Sequence, residues 1–482
     1  MKSSLKIAAL LSALAWSSTA AAQTRDAVNW QPWIADRALG EGPGIRTGDF
    51  ELHPGVAAEF GYDSNFFQRA DSQIERDSIG PIVDPLRLRI TPSLTLRTLD
   101  RRAQLAPGER GAPPKLRFEL AADAAYNEFF AIDPEFEETL NRQRRLSGGV
   151  GADLVLLPER PWSIDAHGLY RRTVEPSNLG SLVGDFDRHT LNAGGGLNWR
   201  PGGGLFEWRF IGYDLRATFF EDEGFNSFNN LDHRFETQGR WRFLPRSALV
   251  YDAHYQLIRY TGDAITAAPA GPRARLTDQN GGDIVRARVG YNGLLTNRFG
   301  FTALGGWAAS FYENRVPPSR NFDNFIAHAE LKWFLTAQQR LQPGFAPIGL
   351  STIAIGYDRN FLNGYLGNFF QRDRGYAAMN YFIGGRVLTA LSGGISHINY
   401  TDFSLAPIPG EPRFVRPGFS ENRLDGTVFV EYRPLATVGF NTTFRYDRNF
   451  SQVVPFSPTD PTVGDDLSFQ RWSIFVGARY FM

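Results

Sequence analysis

Leu86, Leu88, Ile90, Leu94 and Leu96 alternate with Arg87, Arg89, Thr91, Ser93, Thr95 and Arg97, so a strand over this stretch has one apolar face and one polar face. The pattern recurs. Leu116, Phe118, Leu120, Ala122, Ala124 and Tyr126 stand against Arg117, Glu119, Ala121, Asp123 and Asn127; Trp241 and Phe243 against Arg240 and Arg242; Val285, Ala287 and Val289 against Arg286 and Arg288; Phe440, Thr442 and Phe444 against Asn441, Thr443 and Arg445. An apolar face of this kind suits lipid. An arginine on that face would cost about 2–4 kcal/mol near the bilayer midplane, which assigns the charged face to an aqueous interior.

Eighteen such strands are predicted, near 50–63, 84–99, 115–130, 143–156, 162–175, 187–200, 205–220, 232–243, 248–262, 282–295, 299–313, 323–336, 349–363, 374–388, 392–403, 420–434, 435–450 and 467–482. The turns at 158–161, 201–204, 244–247 and 434–435 are tight, whereas the loops at 64–83, 263–281, 404–419 and 451–466 are long. Long loops belong outside and short turns in the periplasm, and an even strand count puts both termini on the periplasmic side. The connections 100–114 and 337–348 are longer than a turn needs, which makes them candidate periplasmic contact sites or tolerated insertions. A bilayer offers an open sheet edge no hydrogen bonds, so the strands must close. The expectation is an all-β fold, a closed antiparallel transmembrane β-barrel with an empty centre. Its backbone diameter would be roughly 35 Å and its bore about 20 Å.

Three stretches are near-identical at the upper end of a strand: Tyr62-Asp63-Ser64-Asn65-Phe66, Tyr357-Asp358-Arg359-Asn360-Phe361 and Tyr446-Asp447-Arg448-Asn449-Phe450. At period two, Tyr and Phe share the lipid face, so Tyr62, Phe66, Tyr357, Phe361, Tyr446 and Phe450 form an expected aromatic rim. Trp472, Ile474, Val476, Ala478 and Tyr480 alternate up to the carboxyl end. This run resembles the terminal strand signal read by the outer-membrane barrel assembly machinery, with Met482 in place of the usual final aromatic and Phe481 one position early. Arg46-Thr47-Gly48-Asp49-Phe50-Glu51-Leu52-His53-Pro54, followed by Gly61 to Phe66, resembles the β-barrel porins associated with exopolysaccharide and capsule secretion, of the myxobacterial polysaccharide-export type. That resemblance implies passage of a polysaccharide across the cell outer membrane, with a periplasmic polysaccharide export protein as partner.

Lys2 and Lys6, the apolar run from Ile7 to Trp16 and Ala20-Ala21-Ala22 read as a signal peptide over 1–22. Residues 23–49 then form a periplasmic leader and 50–482 the barrel. Trp30 and Trp33 in that leader fit either an unstructured lead-in or a tether or plug that docks. Cysteine is absent, which excludes a lipid-anchored mature amino terminus, disulfides and thiol chemistry. A formal net charge of zero gives no global field for nucleic acid.

Register places Arg87, Arg89, Arg97, Arg117, Arg240, Arg242, Arg286, Arg288, Lys332, Arg433, Arg445 and Arg479 on the inner wall, interleaved with Glu119, Asp123, Glu236, Asp252, Glu330, Asp425 and Glu431. Such a wall is either salt-bridged and neutral or a basic-leaning track for an anionic solute or polysaccharide. The seven histidines are scattered, with no catalytic set, metal cluster or phosphate loop, so neither enzyme chemistry nor a cofactor is expected. The rival to polysaccharide export is a general or sugar-specific diffusion porin. A sugar channel would carry inward aromatics, for which Phe334, Phe429 and Phe475 are the sparse candidates, and an infolded loop, for which 263–281 and 404–419 are the candidates.

Overall fold

A computed structural model describes residues 44–72, 81–99, 114–175, 186–201, 204–261, 281–313, 321–335, 351–364, 368–383, 386–404, 415–451, 453–455 and 464–482. Among them, eighteen long strands form one sheet. They are β1 (Phe50–Asp63), β2 (Leu86–Thr98), β3 (Leu116–Phe130), β4 (Leu146–Leu156), β5 (Trp162–Thr173), β6 (Arg188–Trp199), β7 (Phe206–Phe220), β8 (Asn230–Leu244) and β9 (Ser247–Tyr260). The second half comprises β10 (Gly282–Leu294), β11 (Phe299–Tyr312), β12 (Asp323–Phe334), β13 (Thr352–Asn363), β14 (Phe369–Ile383), β15 (Val387–Tyr400), β16 (Ser420–Leu435), β17 (Val438–Phe450) and β18 (Phe469–Phe481).

Each strand pairs antiparallel with its neighbours in sequence, and β18 returns to β1 in a register running from Gly55↔Phe481 to Asp63↔Ser473. The sheet is thus a closed barrel without a free lateral edge. Before β1, Ile45–Thr47 folds back on Phe50–Leu52 through the two-residue turn Gly48-Asp49, where Gly48 supplies φ +60°. The signal and most of the leader, residues 1–43, lie outside the described residues, as do 100–113 and 336–350, where the long short-side connections were expected.

Burial follows the alternation. Outward Ile395, Val289 and Ile355 are 65%, 61% and 61% exposed, whereas inward Arg87 and Asp63 are 1% and 0% exposed. One local departure occurs in β7, where the pairing with β8 shifts between Arg209 and Gly212. Phe210 and Ile211 then both face outward, because the extra residue of a bulge is absorbed there without turning the charged face outward.

The barrel interior as candidate functional site

Ion pairs show which face is concave, since several skip a strand. Arg171 on β5 reaches Asp123 on β3 at 3.0 Å; Arg209 on β7 reaches Asp165 on β5 at 2.9 Å; Arg374 on β14 reaches Asp425 on β16 at 2.7 Å; and Asp63 on β1 gathers Arg87 and Arg471 from its neighbours on either side, β2 and β18. Side chains of alternate strands converge like this only inside a closed sheet.

The charged residues expected on the wall occupy this inner face. Arg89 donates to Glu59, Arg97 to Glu51 at 3.0 Å, Arg240 to Glu207 at 2.7 Å and Arg288 to Asp252 at 3.1 Å; Lys332 and Glu330 pair at 3.0 Å. Glu431 accepts from both Arg433 and Arg479. Arg117 is exposed and Glu119, Arg242 and Arg445 are half-buried on the same face. Most of the wall is therefore salt-bridged. Around the closure seam it is also closely packed: Glu59, Arg89, Glu431 and Arg479 are 1%, 4%, 0% and 4% exposed. That differs from the empty, hydrated centre expected from alternation, which reports which face a residue takes but not what lies above it.

Arginines outnumber carboxylates over β7–β10. Arg209, Arg216, Arg234, Arg240, Arg242, Arg286 and Arg288 face Glu207, Asp214, Asp232, Glu236 and Asp252, with His254 opposite both Glu236 and Arg286. Arg286 is 7% exposed and has no carboxylate at ion-pair distance among the described residues. Its guanidinium instead donates to the carbonyl oxygen of Phe361, three strands away.

That contact reveals an infolded hairpin. β13 pairs with β12 only up to Arg359, yet its pairing with β14 continues to Asn363. The ends of β13 and β14 therefore leave the wall together and bend across the bore. Phe361 and Phe369 pack on Ile258, Ile284, Ala308, Tyr312, Phe322 and Ile326, while Leu362 and Phe370 pack on Ile398 at the other side. The Tyr312 hydroxyl lies 3.0 Å from Asn368 O and 3.3 Å from Asn363 Oδ1, with one proton to donate. Two further apolar groups fold inward at the same end. Phe66, Phe67, Val83, Phe129 and Leu140 form one; Phe186, Phe220, Phe225 and Phe228 form the other, with Phe186 and Phe225 centroids 4.4 Å apart.

These clusters correct the expected rim. Tyr62, Tyr357, Tyr446 and Phe450 face outward, but Phe66 and Phe361 are 1% and 3% exposed inside. In the first repeat the strand ends at Asp63, so period two stops before Phe66; in the second the strand bends inward before Phe361. Inward aromatics are also not sparse: Phe129, Phe220, Tyr312, Tyr376 and Phe481 join Phe334, Phe429 and Phe475. Phe481 being one place early has a use, for its ring lies under the guanidinium groups of Arg479 and Arg433 at 4.4 and 5.1 Å. Most of 263–281 and 404–419 lies outside the described residues.

On the outer face the long-loop border carries a phenol–carboxylate pairing that the sequence reading missed. Tyr126 donates to Glu128, Tyr255 to Asp283 and Tyr357 to Asp373, with Arg144, Arg259 and Arg359 beside the three carboxylates. Tyr126 and Glu128 lie two apart on one strand, whereas the other two pairs needed cross-strand register to be seen. Just above β7, Glu221 is held below the ordinary carboxylate range, chiefly by its hydrogen bond from Arg172. The histidines stay apart: His167 pairs with Asp214 at 2.7 Å and His53 with Glu51 at 3.3 Å. Among the described residues no group of three His, Cys, Asp or Glu is placed to hold a metal ion.

No protein-family profile and no curated protein matches the chain. Solved structures do. The outer membrane protein OpdK of Pseudomonas aeruginosa is 10% identical, the match covering 89% of this chain and 99% of that one, with a TM-score of 0.40. OccAB4 of Acinetobacter baumannii is 11% identical over 91% of this chain and 99% of that one, at 0.41. The FrpB iron transporter of Neisseria meningitidis, in its apoprotein form, is 7% identical over 91% and 82%, at 0.45.

Proposed function

We propose that the chain is an outer-membrane channel for passive diffusion of small solutes, leaning toward anions, and not an enzyme. The apolar outer face supports its placement in a bilayer, where exposed Leu, Ile, Val and Phe side chains on the strands would meet lipid. The observation that carries the solute reading is the excess of arginine over carboxylate on β7–β10, set below a mouth narrowed by the hairpin that Arg286 and Tyr312 hold. Cations around a constricted aqueous path favour anions and limit solute size. No energy source is encoded, so flux follows the gradient.

Polysaccharide export, with a periplasmic export protein on the short-turn rim, is the competing function that the amino-terminal resemblance implies. Liposome swelling with the purified barrel separates the two. The diffusion reading expects small dicarboxylates to enter faster than neutral sugars of equal size, and oligosaccharides to be excluded. Loss of surface polysaccharide in a strain lacking the gene, with solute uptake unchanged, would give the case to export.

A further inference from the structure

The short turns that join β4 to β5, β6 to β7, β8 to β9 and β10 to β11 each present one exposed arginine: Arg160, Arg200, Arg246 and Arg298. The same turns, residues 157–161, 200–205, 244–247 and 295–298, hold a single carboxylate, Glu159. None of the four guanidinium groups lies at ion-pair distance from a carboxylate among the described residues; that of Arg246 donates instead to the Asn297 side chain in the next of these turns. Backbone bonds tie the turns together in pairs. Arg200 N donates to Pro161 O at 2.6 Å and Leu294 N to Arg246 O at 2.8 Å, so the arginines follow one another along a continuous arc of the short-turn rim.

An aromatic band borders this arc on the outer face. Trp162 pairs across strands with Trp199, and Trp199 with Trp208, at centroid separations of 5.9 and 6.3 Å. Phe206 stacks on Trp241 and Phe299 on Trp333, both at 6.0 Å. Ring and cation are also neighbours in the chain, since Trp162 stands two residues after Arg160, Trp199 just before Arg200 and Phe299 just after Arg298. Tryptophan on the outside of a barrel settles at headgroup level, and the long stem of an adjacent arginine then carries its charge to the phosphates.

The opposite border shows that this is not a general habit of the rim. There Arg144, Arg259 and Arg359 are each answered by a carboxylate of the protein itself, Glu128, Asp283 and Asp373. Charge is balanced internally at the long-loop border, whereas along the short-turn arc four arginines against one carboxylate leave three positive charges for something outside. Rings that face the bilayer beside cations at its surface fit a lipid, because a soluble acidic protein would meet the arginines but not the rings.

We propose that this arc binds the headgroups of anionic phospholipids, with Arg160, Arg200, Arg246 and Arg298 on the phosphates and the tryptophan band against the upper part of the chains. The inference rests on the bilayer placement given above and not on the class of solute. The band supplies its own probe. The full mature chain is reconstituted in mixed phosphatidylcholine and phosphatidylglycerol vesicles in which one lipid or the other carries brominated chains, and quenching of tryptophan fluorescence gives their relative affinity for the protein surface. Phosphatidylglycerol should be favoured several-fold at low salt. That preference should fall to parity in the variant Arg160→Gln, Arg200→Gln, Arg246→Gln, Arg298→Gln, whose folding is checked by heat-modifiable gel mobility. It should also fall to parity for the native chain in about 1 M salt, where the screening length is about 3 Å. The long-loop border variant Arg259→Gln, Arg359→Gln should keep it, and soluble glycerol phosphate in excess should not lower it. Equal affinities in the native chain at low salt would leave the arginines to a soluble acidic partner and overturn the proposal. So would a preference that survives the fourfold variant, one lost with Arg259 and Arg359 instead, or one abolished by glycerol phosphate. Absence of quenching by either lipid would overturn the bilayer placement as well, which separates that failure from failure of the lipid preference alone.

Discussion

Asp63→Leu is the most informative single change at the closure of the barrel. Asp63 is fully buried on β1 and accepts from Arg87 Nη1 at 3.2 Å on one side and Arg471 Nε at 2.8 Å on the other, so one carboxylate ties the second strand to the last. Removing it strands two buried guanidinium groups. Deleting one partner of a buried ion pair costs about 3–5 kcal/mol. Part of that is offset by aromatic rings already in place. The Arg87 guanidinium stands 5.3, 5.2 and 5.4 Å from the centroids of Phe66, Phe129 and Phe475, and that of Arg471 stands 5.8 Å from Phe66. Contacts of this kind offset about 0.5–2 kcal/mol, which leaves a loss of about 1–4.5 kcal/mol. The assay is urea unfolding of the barrel in lipid vesicles, read by heat-modifiable gel mobility. The triple variant Asp63→Leu, Arg87→Leu, Arg471→Leu should recover part of the loss, because no uncompensated charge remains. A loss below about 1 kcal/mol for Asp63→Leu, or a triple variant weaker than the single one, would refute the reasoning.

Leu88→Arg and Arg89→Leu test the two faces at adjacent positions. The first places charge in lipid at about 2–4 kcal/mol, the second strands Glu59 at about 3–5 kcal/mol, so urea midpoints should fall comparably, with Glu59→Leu rescuing only the second. Arg286→Met and Tyr312→Phe each release one hold on the infolded hairpin, and single-channel records should show more frequent current flicker than the native chain; unchanged records would mean that apolar packing alone fixes it. At the rim, Glu221 has a folded pKa below its unfolded value, so its tie to Arg172 contributes fully above the ordinary carboxylate range and is lost as pH falls through the lower folded value. Protease cleavage between 221 and 229 should therefore rise on acidification, and Glu221→Gln should cleave readily at every pH.

Strand number, closure and face were legible in the sequence because they are set locally. Leu86 to Thr98 can satisfy its alternation in only one way, and Arg87 faces inward whichever neighbour it meets. What lies over a face was not legible. Period two assigned Arg89 to water, but its partner Glu59 and the cover over both depend on pairing Glu59 with Arg89 across strands. The rim failed at Phe66 and Phe361 for a related reason, since alternation holds only while a strand stays in the wall. The infolded hairpin is fixed by Arg286 and Tyr312, which come from strands far away in sequence, and no local spacing announces that contact. The bulge at Phe210-Ile211 likewise needs the β7–β8 register to be seen.

The central claim is an anion-leaning passage through the barrel, and the zero-current potential of the purified mature chain in a planar bilayer under a steep KCl gradient tests it most directly. The account predicts a potential of the sign that marks chloride as the more permeant ion, moving toward the potassium side when Arg234 and Arg240 are replaced together by glutamate. A potential marking potassium as the more permeant ion in the native chain, or one indifferent to those two charges, would contradict it.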